Sequence, residues 1–356
     1  MQFMSQTDAQ VSGFDPRRRA WLAGLIAAPL LPWAERAMAA APTRVYGANP
    51  VVSYLLAALA PETFLGWNFP PPPQSRGYFS DAVLAKPVIG GFFGQGKSPN
   101  VEVLLSTRPE LAIVSGAAAV GTQVSEVQLK KLGIAVKNLS LDKVADYPAA
   151  IETLGQWLGI TARVQPAADL CRRLLAQLNS LPMPQPAPVI YYAEQANGLA
   201  TECPGSFHAE VLDLLHATNP MQCPGGKTDG FGMVRISLET LYQMNPQWVL
   251  TQEPQAVHAF ERDARYANLA AVKNKQILLA PQVPFRWIDR PPSFMRILAA
   301  FWLYDRVYPG HHRFDLARIT KEFMRAFFNV SMSDDALSAM LNPLSGGMSA
   351  GQAATE

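Results

Sequence analysis

One stretch of this chain occurs twice in outline. The run Asn100-Val101-Glu102-Val103-Leu104-Leu105-Ser106-Thr107-Arg108-Pro109-Glu110-Leu111-Ala112-Ile113-Val114 reads against Ser237-Leu238-Glu239-Thr240-Leu241-Tyr242-Gln243-Met244-Asn245-Pro246-Gln247-Trp248-Val249-Leu250. Each copy opens on a residue whose side chain satisfies free N–H groups at a helix start, Asn100 or Ser237. About two helical turns follow, then a turn containing proline, then a short apolar strand. Glu102 and Glu239 fall at the second helical position, where a carboxylate complements the helix dipole. A supersecondary unit used twice constrains the chain to two lobes built alike.

The rest of the sequence alternates in the same manner. In the first half it predicts a strand at Arg44–Tyr46, a helix at Val51–Ala60, a strand at Leu111–Ser115, a helix at Ser125–Leu132 and a strand at Val136–Leu139. The second half predicts a strand at Val189–Tyr192, a helix at Ala209–His216, a strand at Gln276–Leu279 and a helix at Phe294–Val307. Short continuous apolar strands between helices indicate parallel sheets covered on both faces. Apolar residues at three- and four-residue steps make long helices of Tyr147–Leu158 and Pro166–Leu181. The expected organisation is an N-terminal segment 1–41, an α/β lobe 42–158, a connecting helix and linker 159–187, a second α/β lobe 188–341 and a disordered tail 342–356.

The N-terminal segment reads as an export signal. Arg17-Arg18-Arg19-Ala20-Trp21-Leu22 opens an apolar run from Trp21 to Trp33, and Ala37-Met38-Ala39-Ala40-Ala41 supplies the small residues of a cleavage site. Arginines followed by a spacer and two large apolar residues resemble a twin-arginine signal, which a receptor reads as an address. The run is too short for the about 20 residues of a membrane-spanning helix. Without residues 1–41 the chain keeps 26 basic and 25 acidic residues. With no basic run interleaved with aromatics, nucleic acid is excluded as a partner. Cys203 and Cys223 each sit in a Cys-Pro-Gly turn, and the sequence leaves open whether they form a disulfide or stay as two thiols.

Together these features are similar to a family. The twin-arginine signal, the duplicated unit, the long helix near Pro166–Leu181 and the run Leu269-Ala270-Ala271-Val272-Lys273-Asn274-Lys275-Gln276-Ile277 resemble the substrate-binding proteins of iron–siderophore, haem and cobalamin ABC importers. Trp287-Ile288-Asp289-Arg290-Pro291-Pro292-Ser293, followed by an amphipathic helix, resembles a branch that includes molybdate and nickel-chelate binders. The resemblance covers nearly all of residues 43–330. It implies an α/β fold of two Rossmann-like lobes with parallel sheets, joined by a long rigid helix, with the ligand in the cleft between them. It further implies a periplasmic, monomeric, non-enzymatic carrier without an intrinsic cofactor, whose metal, iron in the leading case, arrives with its chelate. The expected partner is an ABC permease dimer with its ATPase subunits, met by Glu102 and Glu239 on the two lobe tops.

Open parallel sheets bind ligands beyond the carboxyl ends of their strands. That rule places Asn49, Trp67, Phe92 and Phe93 of the first lobe in the cleft, facing Tyr192, Ser206, His208, Phe285, Arg286, Trp287 and Arg290 of the second. The aromatics would stack on an organic shell, or pack in the core. Arg286 and Arg290 would offer positive forks to carboxylates or oxyanions, with Arg290 paired to Asp289 as the alternative. His208 would complete the coordination of a chelated metal, or else cap a helix. An enzymatic reading, a chelatase of two-lobed build, would pair His208 with Glu210. Residues two apart diverge on a helix, and this stretch reads as a helix start. If Arg18 and Arg19 direct export, changing both to Lys empties the periplasmic fraction of this chain; an unchanged periplasmic yield excludes the twin-arginine route.

Overall fold

The structure of the protein is a computed structural model that describes residues 40–92, 99–116, 120–223, 233–311 and 313–344. The expected signal with Arg18 and Arg19, the ring of Phe93, His312 and residues 345–356 lie outside the described residues. The first lobe runs β1 (Val45–Gly47), α1 (Pro50–Leu59), α2 (Asp81–Leu84), α3 (Val101–Ser106), β2 (Leu111–Ser115), α4 (Val120–Lys131), β3 (Ala135–Leu139) and α5 (Tyr147–Leu158). Then comes α6 (Thr161–Asn179). The second lobe contains β4 (Ile190–Ala193), β5 (Ala200–Glu202), α7 (Glu210–Leu214), β6 (Met233–Arg235), α8 (Leu238–Met244), β7 (Trp248–Thr251), α9 (Pro254–Arg262), α10 (Ala270–Lys273) and β8 (Ile277–Leu279). Three helices follow: α11 (Arg296–Val307), α12 (Leu316–Phe328) and α13 (Asp334–Leu341).

Each lobe holds a parallel three-stranded sheet, in the order β1-β2-β3 or β4-β7-β8. The duplicated unit supplies the central strand of both, β2 and β7. The same devices start and stop its helix in each copy. Asn100 accepts from the Val103 N–H and Ser237 from the Thr240 N–H. Each turn passes through a left-handed residue, Arg108 or Asn245. The second lobe adds an antiparallel pair, β5 with β6.

Alternate residues of each strand face different cores, as the pleat requires. Val45, Leu111, Ile113, Ile190, Tyr192 and Leu250 face inward to one large apolar cluster. Tyr46, Ala112 and Val114 face an outer cluster under α3 and α4, while Tyr191 and Val249 face another under α9. The large cluster is shared by the lobes, running from β1 and α1 through Leu154 and Leu174 to Trp302 and Phe323. Helix α6 packs on α5 of the first lobe and on α11 and α12 of the second. It starts five residues earlier than its sequence pattern predicts and passes through Pro166, whose missing N–H removes one helical bond. Gly155 lets α5 approach α6: an added Cβ would lie 2.5 Å from a Val164 methyl. Polar ties also cross between the lobes. Ser75 donates to the Pro284 carbonyl at 2.8 Å, and the Val144 N–H donates to Glu210 at 2.9 Å.

A shared core makes the two lobes one cooperative unit. Leu174→Ala, wholly inside that core, is expected to cost about 2–5 kcal/mol and to move a single unfolding transition. Fluorescence and far-UV circular dichroism should give the same midpoint; two separated transitions would mean that the lobes unfold independently.

Candidate functional site

Segments that follow strands of both sheets come together at the junction of the lobes, where Val144, after β3, meets Glu210 and Pro284, after β8, meets Ser75. On the first-lobe side, Asn49 follows β1 and caps α1, its Oδ1 accepting from the Val52 N–H at 3.1 Å. Its Nδ2 donates to Ser115 Oγ at the end of β2, 3.1 Å away. Asn68 donates to the carbonyls of Gly47 and Gly90. The floor between the lobes is aromatic, with Tyr54 stacked on Phe285 at a centroid distance of 4.0 Å.

The second-lobe side is built from charge. Glu194 follows β4, Glu202 ends β5, Gln252 and Glu253 follow β7, and residues 281–295 form a long turn before α11. Gln252 clamps that turn: Nε2 donates to the Asp289 carbonyl at 2.9 Å, and Oε1 accepts from the Ile288 N–H at 3.0 Å. Asp289 is thereby held wholly buried, and its Oδ1 lies 2.8 Å from Nδ1 of His208. Arg290, left-handed and followed by a cis proline, turns its guanidinium onto two acids. Nε donates to Glu194 and Nη2 to Glu202, the latter at 2.6 Å. Ser206 donates to the other Glu202 oxygen at 2.8 Å and caps the turn that carries His208. A disulfide between Cys203 and Cys223 closes the loop beside Glu202. By the chain-entropy estimate a loop of this size adds about 3 kcal/mol.

Burial governs the electrostatics. It pushes Glu194 up to about 7, the bond from Arg290 offsetting only part of the effect, and it raises Glu202 as well. Burial alone would lower the pKa of His208; the Asp289 carboxylate, together with Glu202, more than reverses this and the net shift is upward. Glu202, His208 and Asp289 each place a potential ligand atom within 4.8 Å of the others. A bare cation among all three would have to break the Glu202 bonds to Ser206 and Arg290 and then lie against the guanidinium. Among the described residues the cluster is bonded as an ion network that leaves two positions open, the buried Oδ2 of Asp289, which has no hydrogen-bond partner, and the outer edge of the imidazole.

The profile of the periplasmic binding proteins matches residues 90–284, more than half of the chain. The chain belongs to that family. An ABC transporter solute binding protein from Sulfurospirillum deleyianum superposes on it with a TM-score of 0.77 and 28% identity, over 84% of this chain and 93% of the other. The molybdate-binding protein of Haemophilus influenzae is 23% identical over 274 residues, 68% of this chain and 73% of that protein. Its molybdate-bound structure superposes with a TM-score of 0.61 at 18% identity, over 82% of this chain and 94% of the other. The vitamin B12 binding protein of Vibrio cholerae shares the fold at a TM-score of 0.56 and 16% identity, over 78% and 98% of the two chains.

Within this periplasmic binding protein the sequence-predicted site residues divide. Ser206, His208, Tyr192 and Arg290 come together, joined through Glu202, Asp289 and Gln252. Arg286 lies apart, paired with Glu253 at 2.7 Å and about a third exposed. Several expectations need correcting. Arg290 is not an open fork, because Glu194 and Glu202 occupy it; its contact with Asp289 is a long 3.7 Å. Trp67, Phe285 and Trp287 are core rings, buried by apolar neighbours, and both indoles donate to carbonyls, of Val83 and Val283. Tyr192 is also buried, its hydroxyl accepting from Gln252. Asn49 has both ends of its amide engaged. Phe92 is half-buried against the outer core of the first lobe. Glu210 turns away from His208, to Arg296 and the Val144 N–H.

Glu194, Glu202 and Gln252 are not among the residues that the strand-end rule singles out from the sequence; a carboxylate just after an apolar strand is the available signal. Also passed over in the sequence is Gly91-Phe92-Phe93-Gly94-Gln95-Gly96-Lys97-Ser98, which matches a phosphate-loop pattern in letters. That pattern needs its Lys and Ser to open a helix. Here α3 begins only at Val101, after Pro99 and the cap Asn100, and residues 93–98 lie outside the described residues.

Glu194 predicts a pH dependence. An acid whose pKa is higher folded than unfolded stabilises the fold below its unfolded value, near 4.5, and loses that contribution as pH rises through its folded value, near 7. Wild-type melting temperature should therefore fall from pH 5 to pH 8, and Glu194→Gln should flatten the slope. An equal slope in both proteins would mean that Glu194 titrates as it does unfolded.

Proposed function

We propose that this protein is exported to the periplasm, captures a small metal-bearing ligand between its lobes and delivers it to an ABC importer. A metal chelate such as an iron–siderophore is the leading case, and a nickel chelate is of the same class. The supporting observation is the His208–Asp289 pair at the carboxyl end of the second sheet, in a wall whose other charges are mutually paired. Arg286 binds the ligand's carboxylates, since only Glu253 engages its guanidinium among the described residues. The metal enters and leaves with the ligand, and the protein needs no cofactor of its own.

A second reading, a molybdate or tungstate carrier, is favoured by the Haemophilus influenzae relative and by the glycine- and lysine-containing run Gly91–Ser98. Native mass spectrometry with metal analysis, on protein purified from its own periplasm, separates the two. The chelate reading expects an organic mass together with about one equivalent of metal. A bare oxyanion mass would select the second reading, and a ligand without metal would exclude both.

Glu102 and Glu239 are the expected contacts to a two-fold permease, one per lobe. Both stand exposed in the first turn of matching helices, and the Ser237 hydroxyl holds Glu239 below its usual carboxylate range. Changing both to Gln should leave ligand affinity intact and abolish uptake in cells, since charge pairs of this kind govern docking. Wild-type uptake in the double variant would leave the two glutamates as helix-stabilising residues.

A further inference from the structure

We infer that Asp289 is a positioning residue that fixes His208 with its Nε2 lone pair facing the cleft, so that the second lobe takes a ligand whose metal keeps an unfilled coordination position. This inference rests on the capture reading and narrows it.

Three observations carry it. First, the ring is oriented. Nδ1 of His208 is 2.8 Å from an oxygen of a wholly buried carboxylate, and the ring keeps 27% of its surface exposed. The exposed part is therefore the opposite edge, which holds Nε2; no described residue bonds to that nitrogen. A carboxylate accepts only, so it selects the Nδ1–H tautomer and leaves Nε2 as the acceptor. Imidazole nitrogen is a good ligand for borderline transition metals.

Second, the backbone that carries the buried carboxylate is fixed. The backbone N–H and carbonyl of Asp289 are both held by Gln252, whose Nε2 also donates to Tyr192. Ser206 fixes the other partner by capping the turn on which His208 stands. An imidazole held from both sides is preorganised, which lowers the entropy cost of binding a metal.

Third, the sign of the wall suits a metal centre. Among the described residues it carries Glu194, Glu202, Glu253 and Asp289 against Arg286 and Arg290. A bare oxyanion beside His208 would meet an excess of carboxylate. A metal with an open position meets a neutral nitrogen donor and an acidic surround.

Copper(II)–iminodiacetate is a suitable probe because the chelator leaves positions open on the metal. It is to be titrated into the chain lacking its signal, in a His216→Gln/His258→Gln/His311→Gln/His312→Gln background that leaves His208 as its one histidine. Expected is a single site whose electron paramagnetic resonance spectrum shows imidazole nitrogen coupling. His208→Gln should lose that coupling and at least tenfold in affinity. Asp289→Asn should lose about 10- to 100-fold, the usual range for residues that orient a metal ligand.

A nitrogen-15 NMR measurement on unliganded protein, at a pH where the ring is neutral, reads the positioning directly. It should show Nδ1–H with a bare Nε2 in the wild type, and proton density moving to Nε2 in Asp289→Asn. A wild-type Nε2–H tautomer overturns the inference even if the Asp289 variant does not fold. Copper-probe affinity within twofold of wild type in His208→Gln also overturns it, as does failure of the wild type to bind the probe. Molybdate binding that survives His208→Gln would sink the inference and leave the capture reading standing.

Discussion

The structure depends on one apolar core shared by two lobes. Each three-stranded sheet is too small to stand as a layer alone. Each turns alternate side chains outward to its own helices and inward to a cluster that belongs to both. Helices α5 and α6 on one side, and α11 and α12 on the other, close this cluster around Leu174, Phe294 and Trp302. Everything polar at the junction is built on that base. Ser75 reaches Pro284 and Val144 reaches Glu210 because the core has already brought the lobes into contact.

Above the core, the second-lobe wall resolves a conflict between burial and charge. Three acids, Glu194, Glu202 and Asp289, lie within reach of one guanidinium, and two of them contact it by short hydrogen bonds. Left without Arg290, buried carboxylates of this kind would cost several kcal/mol. The arginine is therefore structural, although its sequence context reads as a ligand contact. Asp289 is left to engage His208. The division of labour within Asp289-Arg290 is local: the arginine engages two of the wall's buried acids, and the aspartate engages the partly exposed His208.

The fold was legible because its signals are short-range. Asn100, Ser237 and the prolines after them define helix starts and turns within a few residues, and β2 and β7 are bounded to within a residue by their apolar runs. The site was legible only as a set of loops. Whether Arg290 is free depends on Glu194 and Glu202, which lie far off in sequence and are brought to it by the packing of β4 beside β5 in the second lobe. The same holds for Trp67, Phe285 and Trp287: a large ring near a strand end looks identical in sequence whether it lines a cleft or fills the core beneath it. Helices α12 and α13 were not anticipated, although Ile319, Phe323 and Phe327 repeat at helical spacing.

Helix α6 has a consequence for selectivity. One face of it is buried in the core that both lobes share, so the two sheets are spaced by close packing on a single helix, as the gap of a caliper is set by its frame. On the capture reading proposed above, such a frame would not fold around its guest: it would spend little free energy on reorganisation, and discrimination would rest on size and on the few groups at the rim.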